Sequence, residues 1–121
     1  MRDENCIFCK IVSGEVPSHK VYEDEKFVVF MDINPRSPGH ALVIPREHYR
    51  WVWDVPQVGN YFEVVRKIAQ AQQKAFDTDF ILSKIVGDEV EHAHIWVYPN
   101  KDVHGDKMAF EENGRKIKEY I

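Results

Sequence analysis

Residues 80–98 read FILSKIVGDEVEHAHIWVY, and the way the two halves of this stretch pair sets the topology of the chain. Residues 80–86 and 92–98 are dense in β-branched and aromatic side chains, which favour strands. Only residues 87–91 separate them, far too few for a crossover, so the two strands pair antiparallel. Upstream, residues 57–76 place Val58, Phe62, Val65, Ile68, Ala69, Ala75 and Phe76 near a period of 3.6, with Glu63, Arg66 and Lys67 opposite, which predicts the one long amphipathic helix. Further back, residues 40–44 (HALVI) read as a central strand. They follow INPRSPG, residues 33–39, whose two prolines and glycine force a loop. Residues 20–23 (KVYE) and 26–31 (KFVVFM) form a hairpin around Asp24 and Glu25. Residues 5–14, NCIFCKIVSG, predict a short helix with Asn5 as cap and Gly14 as stop. The tail, residues 107–121, is weakly helical and interrupted by Gly114. The expectation is a single antiparallel α+β domain over residues 1–121, one long helix and short terminal helices flanking the sheet.

Composition supports that reading and removes others. At 121 residues the chain fits one domain and not two. It is 44% hydrophobic and 30% charged, with no apolar run of the roughly 18 residues that a membrane-spanning helix needs. Sixteen Lys and Arg against twenty Asp and Glu give a net charge of −4, which argues against broad attraction to nucleic acid or an anionic membrane. The opening MRDENCIFCK has no apolar signal core, so the expected compartment is the cytoplasm, with the nucleus also open. Both cysteines then face a reducing compartment, where a Cys-x-x-Cys pair reads as a metal or redox element rather than a structural disulfide.

Two constellations carry chemistry. His92 and His94 lie two apart on the predicted strand, so both imidazoles share one face with Trp96, while Ala93, Ile95 and Val97 turn into the core. Cys6 and Cys9 lie three apart on a helical turn, close enough for two thiolates to meet one metal ion. His48 and His92 are candidates to complete a tetrahedral set of two sulfurs and two nitrogens. Taken alone, the Cys-x-x-Cys pair reads equally well as buried thiols or a redox pair.

Four blocks, CIFCKIVSGEVP, VYEDE, FMDINPRSPGHALVIPREH and VEHAHIWVYP, occur in an order and spacing that resembles the histidine triad family of nucleotide hydrolases and transferases. The resemblance covers nearly the whole chain. It implies an α+β domain that works as a homodimer with joined sheets. It implies structural zinc on Cys6, Cys9, His48 and His92, with no coordination position left for water. For the nucleoside of a purine nucleotide or nucleoside monophosphate derivative it points to Ile7, Phe8, Ile11, Phe30 and Ile33 as apolar walls. Asp32 is the carboxylate that can accept both ribose hydroxyls. It makes His94 the nucleophile, which forms a nucleotidyl-histidine once a backbone carbonyl holds its other ring nitrogen.

The chain departs from the family pattern at two places. Trp96 stands where the third histidine is expected, and an indole offers one neutral N–H but carries no proton. Loss of such a stabiliser costs on the order of 10²–10³ in rate. Before the triad, Gly87 keeps the family position, whereas Asp88 and Glu89 put carboxylates where the family has neutral phosphate-facing donors; in a turn such acids read equally well as pointing into solvent. Like charges about 4 Å apart repel by roughly 1 kcal/mol even in water, so Lys84, Arg46 or a metal ion would have to compensate. Gly87 and Glu89 join the expected nucleotide-binding residues. His40 reads as a structural polar residue, and Trp51, Trp53, His19 and His104 receive no role. Three functions therefore compete: a weak nucleotidyl hydrolase or transferase, a nucleotide-binding module without turnover, and a zinc-stapled interaction protein.

Overall fold

The protein is described by a computed structural model covering residues 3–121. A short helix, α1 (Ile7–Ser13), precedes strands β1 (Lys20–Glu23), β2 (Phe27–Met31) and β3 (Ala41–Pro45). A 3-10 turn at Val52–Asp54 leads into helix α2 (Val58–Ala75), followed by β4 (Ile81–Ile85), β5 (Ile95–Pro99) and α3 (Phe110–Lys118). The five strands form one antiparallel sheet in the order β1-β2-β3-β5-β4. The α+β expectation holds, and α2 begins and ends within one residue of the predicted span. Among the described residues no helix is long and apolar enough to cross a membrane.

Strands β2 and β3 are buried on both faces, which explains why FVVFM and ALVIP run without polar alternation. Phe27, Val29, Met31, Ala41, Val43, Ile95 and Val97 pack on one side against Tyr61, Val65 and Ile68 of α2 and Ile117 of α3. Val28, Phe30, Leu42 and Ile44 point the other way, against Phe8 and Ile11 of α1. The α1 layer is the one that carries the functional side chains.

Four local readings are corrected. The buried stripe of α2 is Tyr61, Val64, Val65, Ile68, Ala71 and Gln72, whereas Val58 and Phe62 are exposed. Two polar residues hold that stripe because each finds an acceptor: the Tyr61 hydroxyl donates to the Val43 carbonyl at 2.7 Å, and the Gln72 amide donates to the carbonyls of Gly39 and Val97. The cap of α1 is Cys6, not Asn5, with its sulfur accepting from the Cys9 N–H at 3.4 Å. Gly114 does not interrupt α3 but lies buried inside it, where a β-carbon would come within 3.2 Å of Val21. Close approach to β1, and not helix termination, is the reason for that glycine. Finally, β5 starts at Ile95, so His92 and His94 lie in the segment leading into the strand.

Candidate functional site

Placing His92 and His94 just ahead of the strand sends their side chains to different jobs. The Ala93 N–H donates to the Tyr49 carbonyl, tying this segment to the chain that follows β3. Both imidazoles are buried, and the Phe8 ring meets each edge-on, at 5.8 Å for His92 and 5.2 Å for His94.

His92 turns toward α1. Its Nε2–H donates to the Pro45 carbonyl at 2.8 Å, which leaves Nδ1 as the nitrogen with a lone pair. That Nδ1 lies 3.3 Å from Cys6 Sγ and 3.6 Å from Cys9 Sγ, while His48 Nδ1 lies 3.5 Å from Cys9 Sγ. A tetrahedral zinc with bonds of about 2.0–2.3 Å has donor-to-donor edges of about 3.3–3.8 Å, so these separations fit such an ion. All four ligand atoms lie within 4.8 Å of one another. Burial pushes the Cys6 thiol upward, so a thiolate there requires a cation. Burial also lowers His92 to about 4, keeping its ring neutral and able to ligate. Asp3 approaches the outer nitrogen of His48 at 4.0 Å, on the side where a carboxylate can orient a ligating imidazole. The donor chemistry and the spacing both fit zinc, and a closed set of four protein ligands makes it structural.

His94 turns into a cavity of about 540 Å³ between α1 and the sheet. Its Nδ1 lies 2.7 Å from the carbonyl of His92, so that nitrogen carries the proton and Nε2 keeps the lone pair. Ile7, Phe8, Ile11, Phe30, Asp32, Ile33, Glu89 and Trp96 all line this cavity with His94. Asp32 is half-buried, and desolvation raises its pKa against the opposing pull of the Asn34 N–H, which donates to Oδ1 at 2.8 Å. The second oxygen lies 3.4 Å from His40 Nε2. Asp32 thus caps a turn and still faces the cavity. His40 is fully buried, accepts the Arg36 N–H at Nδ1, and is lowered to about 4 by burial and the Arg36 charge.

Other expectations separate here. Gly87 is not among the lining residues: its α-carbon faces the Trp51 ring, which a β-carbon would strike. Trp51 in turn carries the Arg50 guanidinium at 4.0 Å. Of the two cations expected to compensate, Arg46 is taken up by Glu23 at 2.7 Å and the Asp24 carbonyl at 2.6 Å, whereas Lys84 lies over the Trp96 ring. Asp88, Val90, Asn34 and Leu42 join the cavity without having been assigned to it. Asp88 alone carried a signal, through its place before the paired histidines. The carbonyls of Pro45 and His92, which fix both tautomers, belong to the backbone and leave no trace in a sequence.

A family model described as the HIT domain matches residues 13–103. A HIT-like protein of Methanocaldococcus jannaschii is 39% identical over 113 residues, covering 88% of each chain. The adenosine 5′-monophosphoramidase HNT1 of Saccharomyces cerevisiae is 36% identical over 105 residues, covering 83% of this chain and 65% of its own. A solved structure of a Hit-like protein involved in cell-cycle regulation from Bartonella henselae superposes over the full length of both chains with a TM-score of 0.87 at 35% identity. A Zn-bound histidine triad family protein from Mycobacterium smegmatis has a TM-score of 0.83 at 35% identity, covering 96% of this chain and 92% of its own. With the family model spanning most of the chain, and with relatives matched over most of their length, the chain belongs to the HIT, or histidine triad, family.

Proposed function

We propose that the protein is a nucleotidyl hydrolase or transferase. Its substrates are purine nucleoside monophosphate derivatives, phosphoramidates among them, and His94 is the nucleophile. The observation that carries this reading is the 2.7 Å contact from His94 Nδ1 to the His92 carbonyl, made inside a cavity that also holds an apolar wall and a carboxylate. A purine would lie between Ile7, Phe8, Ile11 and Phe30, with Asp32 accepting from the ribose hydroxyls and Ile33 closing the rim. His94 Nε2 would attack the α-phosphorus, forming an N–P bond while the bond to the leaving group breaks. Water would then break the N–P bond, releasing the nucleoside monophosphate and returning the neutral imidazole. The phosphoramidase activity named for the yeast relative supports this substrate class.

When bound, zinc supplies structural cross-linking through Cys6, Cys9, His48 and His92. Reduced Cys6 and Cys9 suit a reducing compartment such as the cytoplasm. The same reading takes the working form as a homodimer, supported by the open edge of β4 and the exposed Val58, Phe62 and Phe80. Sedimentation showing a monomer at micromolar concentration would reject that part.

A second reading, nucleotide binding without turnover, is favoured by Trp96 in the triad and by Asp88 and Glu89 in the cavity. AMP release from adenosine 5′-phosphoramidate separates the two. Wild type, His94→Ala and Trp96→His are compared at equal zinc content. The enzyme reading expects slow release by wild type that disappears in His94→Ala. Release confined to Trp96→His leaves binding as the function.

A further inference from the structure

Trp96 sits in a row of side chains that crosses the sheet. Phe30 on β2 pairs with Leu42 on β3, Leu42 pairs with Trp96 on β5, and Trp96 pairs with Lys84 on β4. Directly paired residues share a face, and Phe30, Leu42 and Trp96 line the cavity that holds His94. Lys84 therefore ends this row at the rim of the cavity. Its Nζ lies 5.4 Å from the centre of the Trp96 ring. The Arg36 guanidinium lies 5.1 Å from the same ring. Both distances fall within the range where a cation is drawn to an indole face.

The two cations reach this ring from different elements. Lys84 comes from the edge strand, and Arg36 from the loop after β2. The loop backbone is fixed there, since the main-chain N–H of Arg36 donates to His40 Nδ1, and the His40 ring itself lies 5.2 Å from Trp96. The Arg36 charge is felt at both Asp32 and His40. Among the described residues neither Arg36 nor Lys84 joins an ion pair. The position that a third histidine would fill with one charge at most is thus flanked by two full charges.

We propose that Arg36 and Lys84, held against Trp96, bind the leaving group, and that the site favours nucleoside monophosphate derivatives whose leaving group departs as an anion such as phosphate or sulfate. The inference rests on His94 as nucleophile. As the bond from Nε2 to phosphorus forms, the P–O bond to the leaving group breaks and its electron pair stays on oxygen. That oxygen departs as an oxyanion beside the two cations and needs no proton from a histidine. Water then hydrolyses the nucleotidyl-histidine. Asp88 and Glu89 line the cavity and pull the other way, toward a cationic amine; all four side chains are exposed, and what sets the cations apart is that both lie over the half-buried Trp96 ring, at the triad position itself.

The test uses two aryl esters of AMP whose leaving groups match in pKa, one neutral and one carrying a sulfonate, with adenosine 5′-phosphoramidate as the amine arm. The quantity read is the ratio of kcat/KM for the anionic over the neutral ester at low ionic strength. We expect a ratio of roughly ten in wild type, falling toward one in Arg36→Met/Lys84→Met and recovering in Arg36→Lys/Lys84→Arg. A wild-type ratio near one, a ratio that survives removal of both cations, or faster turnover of the phosphoramidate than of the anionic ester would overturn the proposal. Full activity of His94→Ala would instead remove the nucleophile reading beneath it.

Discussion

Removing the metal is predicted to detach α1 while the rest of the fold stands. The helix has seven residues, and ordering their backbone costs about 1–2 kcal/mol each, or about 7–14 in all. Against this, burying Phe8 and Ile11, each only 7% exposed, returns about 1.5–3 kcal/mol apiece, or about 3–6 together. The few hydrogen bonds of a two-turn helix add about 1 kcal/mol each, which leaves docking near or below balance. A structural zinc site contributes about 10–16 kcal/mol in small peptides, more than enough to reverse that. The core on the α2 side contains no residue of α1 and should be untouched. Hydrogen exchange on chelated, reduced protein of verified zinc content is the assay, paired with calorimetry of AMP binding. The expected outcome is loss of protection across residues 7–13 together with AMP affinity, while β2, β3 and α2 stay protected. Retained protection in α1 and an AMP affinity within twofold of the loaded protein would refute the reasoning.

Other expectations follow from single side chains. His40 is lowered from 6.5 to about 4, so the unfolded chain binds a proton that the folded one refuses. Stability from this group is complete above pH 6.5 and lost as pH falls toward 4. Between pH 7.5 and 5 the loss is about 2 kcal/mol, read as the difference in urea stability between wild type and His40→Gln. Gly87→Ala should push the Trp51 ring outward, costing about 1–3 kcal/mol and shifting tryptophan emission to the red, with little further effect in a Trp51→Ala background. Asp88→Gln with Glu89→Ser should tighten AMP binding about threefold at low salt and much less at 0.5 M; calorimetry showing no change would mean that both carboxylates point away from the phosphate.

The fold was legible where a pattern had one reading. The five-residue link at 87–91 allows only antiparallel pairing, and the apolar run HALVI reads as a central strand, which β3 is. What escaped were polar side chains whose burial depends on a distant acceptor. Tyr61 and Gln72 look like solvent positions until Val43, Gly39 and Val97 supply carbonyls, and this turned the expected face of α2 away from Val58 and Phe62. The metal ligands were readable because sulfur and imidazole at fixed spacing are uncommon. The roles of Arg46 and Lys84 were not, since only the folded chain shows Arg46 spent on Glu23 and Asp24 and Lys84 beside Trp96.

His92 offers its ring to the metal cluster and its carbonyl to His94. The second of these is a peptide group, present whatever residue occupies the position. A lineage can therefore exchange the ligand at 92 for cysteine, or lose the metal altogether, without deleting the acceptor that selects the His94 tautomer. Ligand identity is open to drift by point mutation. The acceptor is inherited with the path of the backbone, and only an insertion or deletion ahead of β5 would remove it.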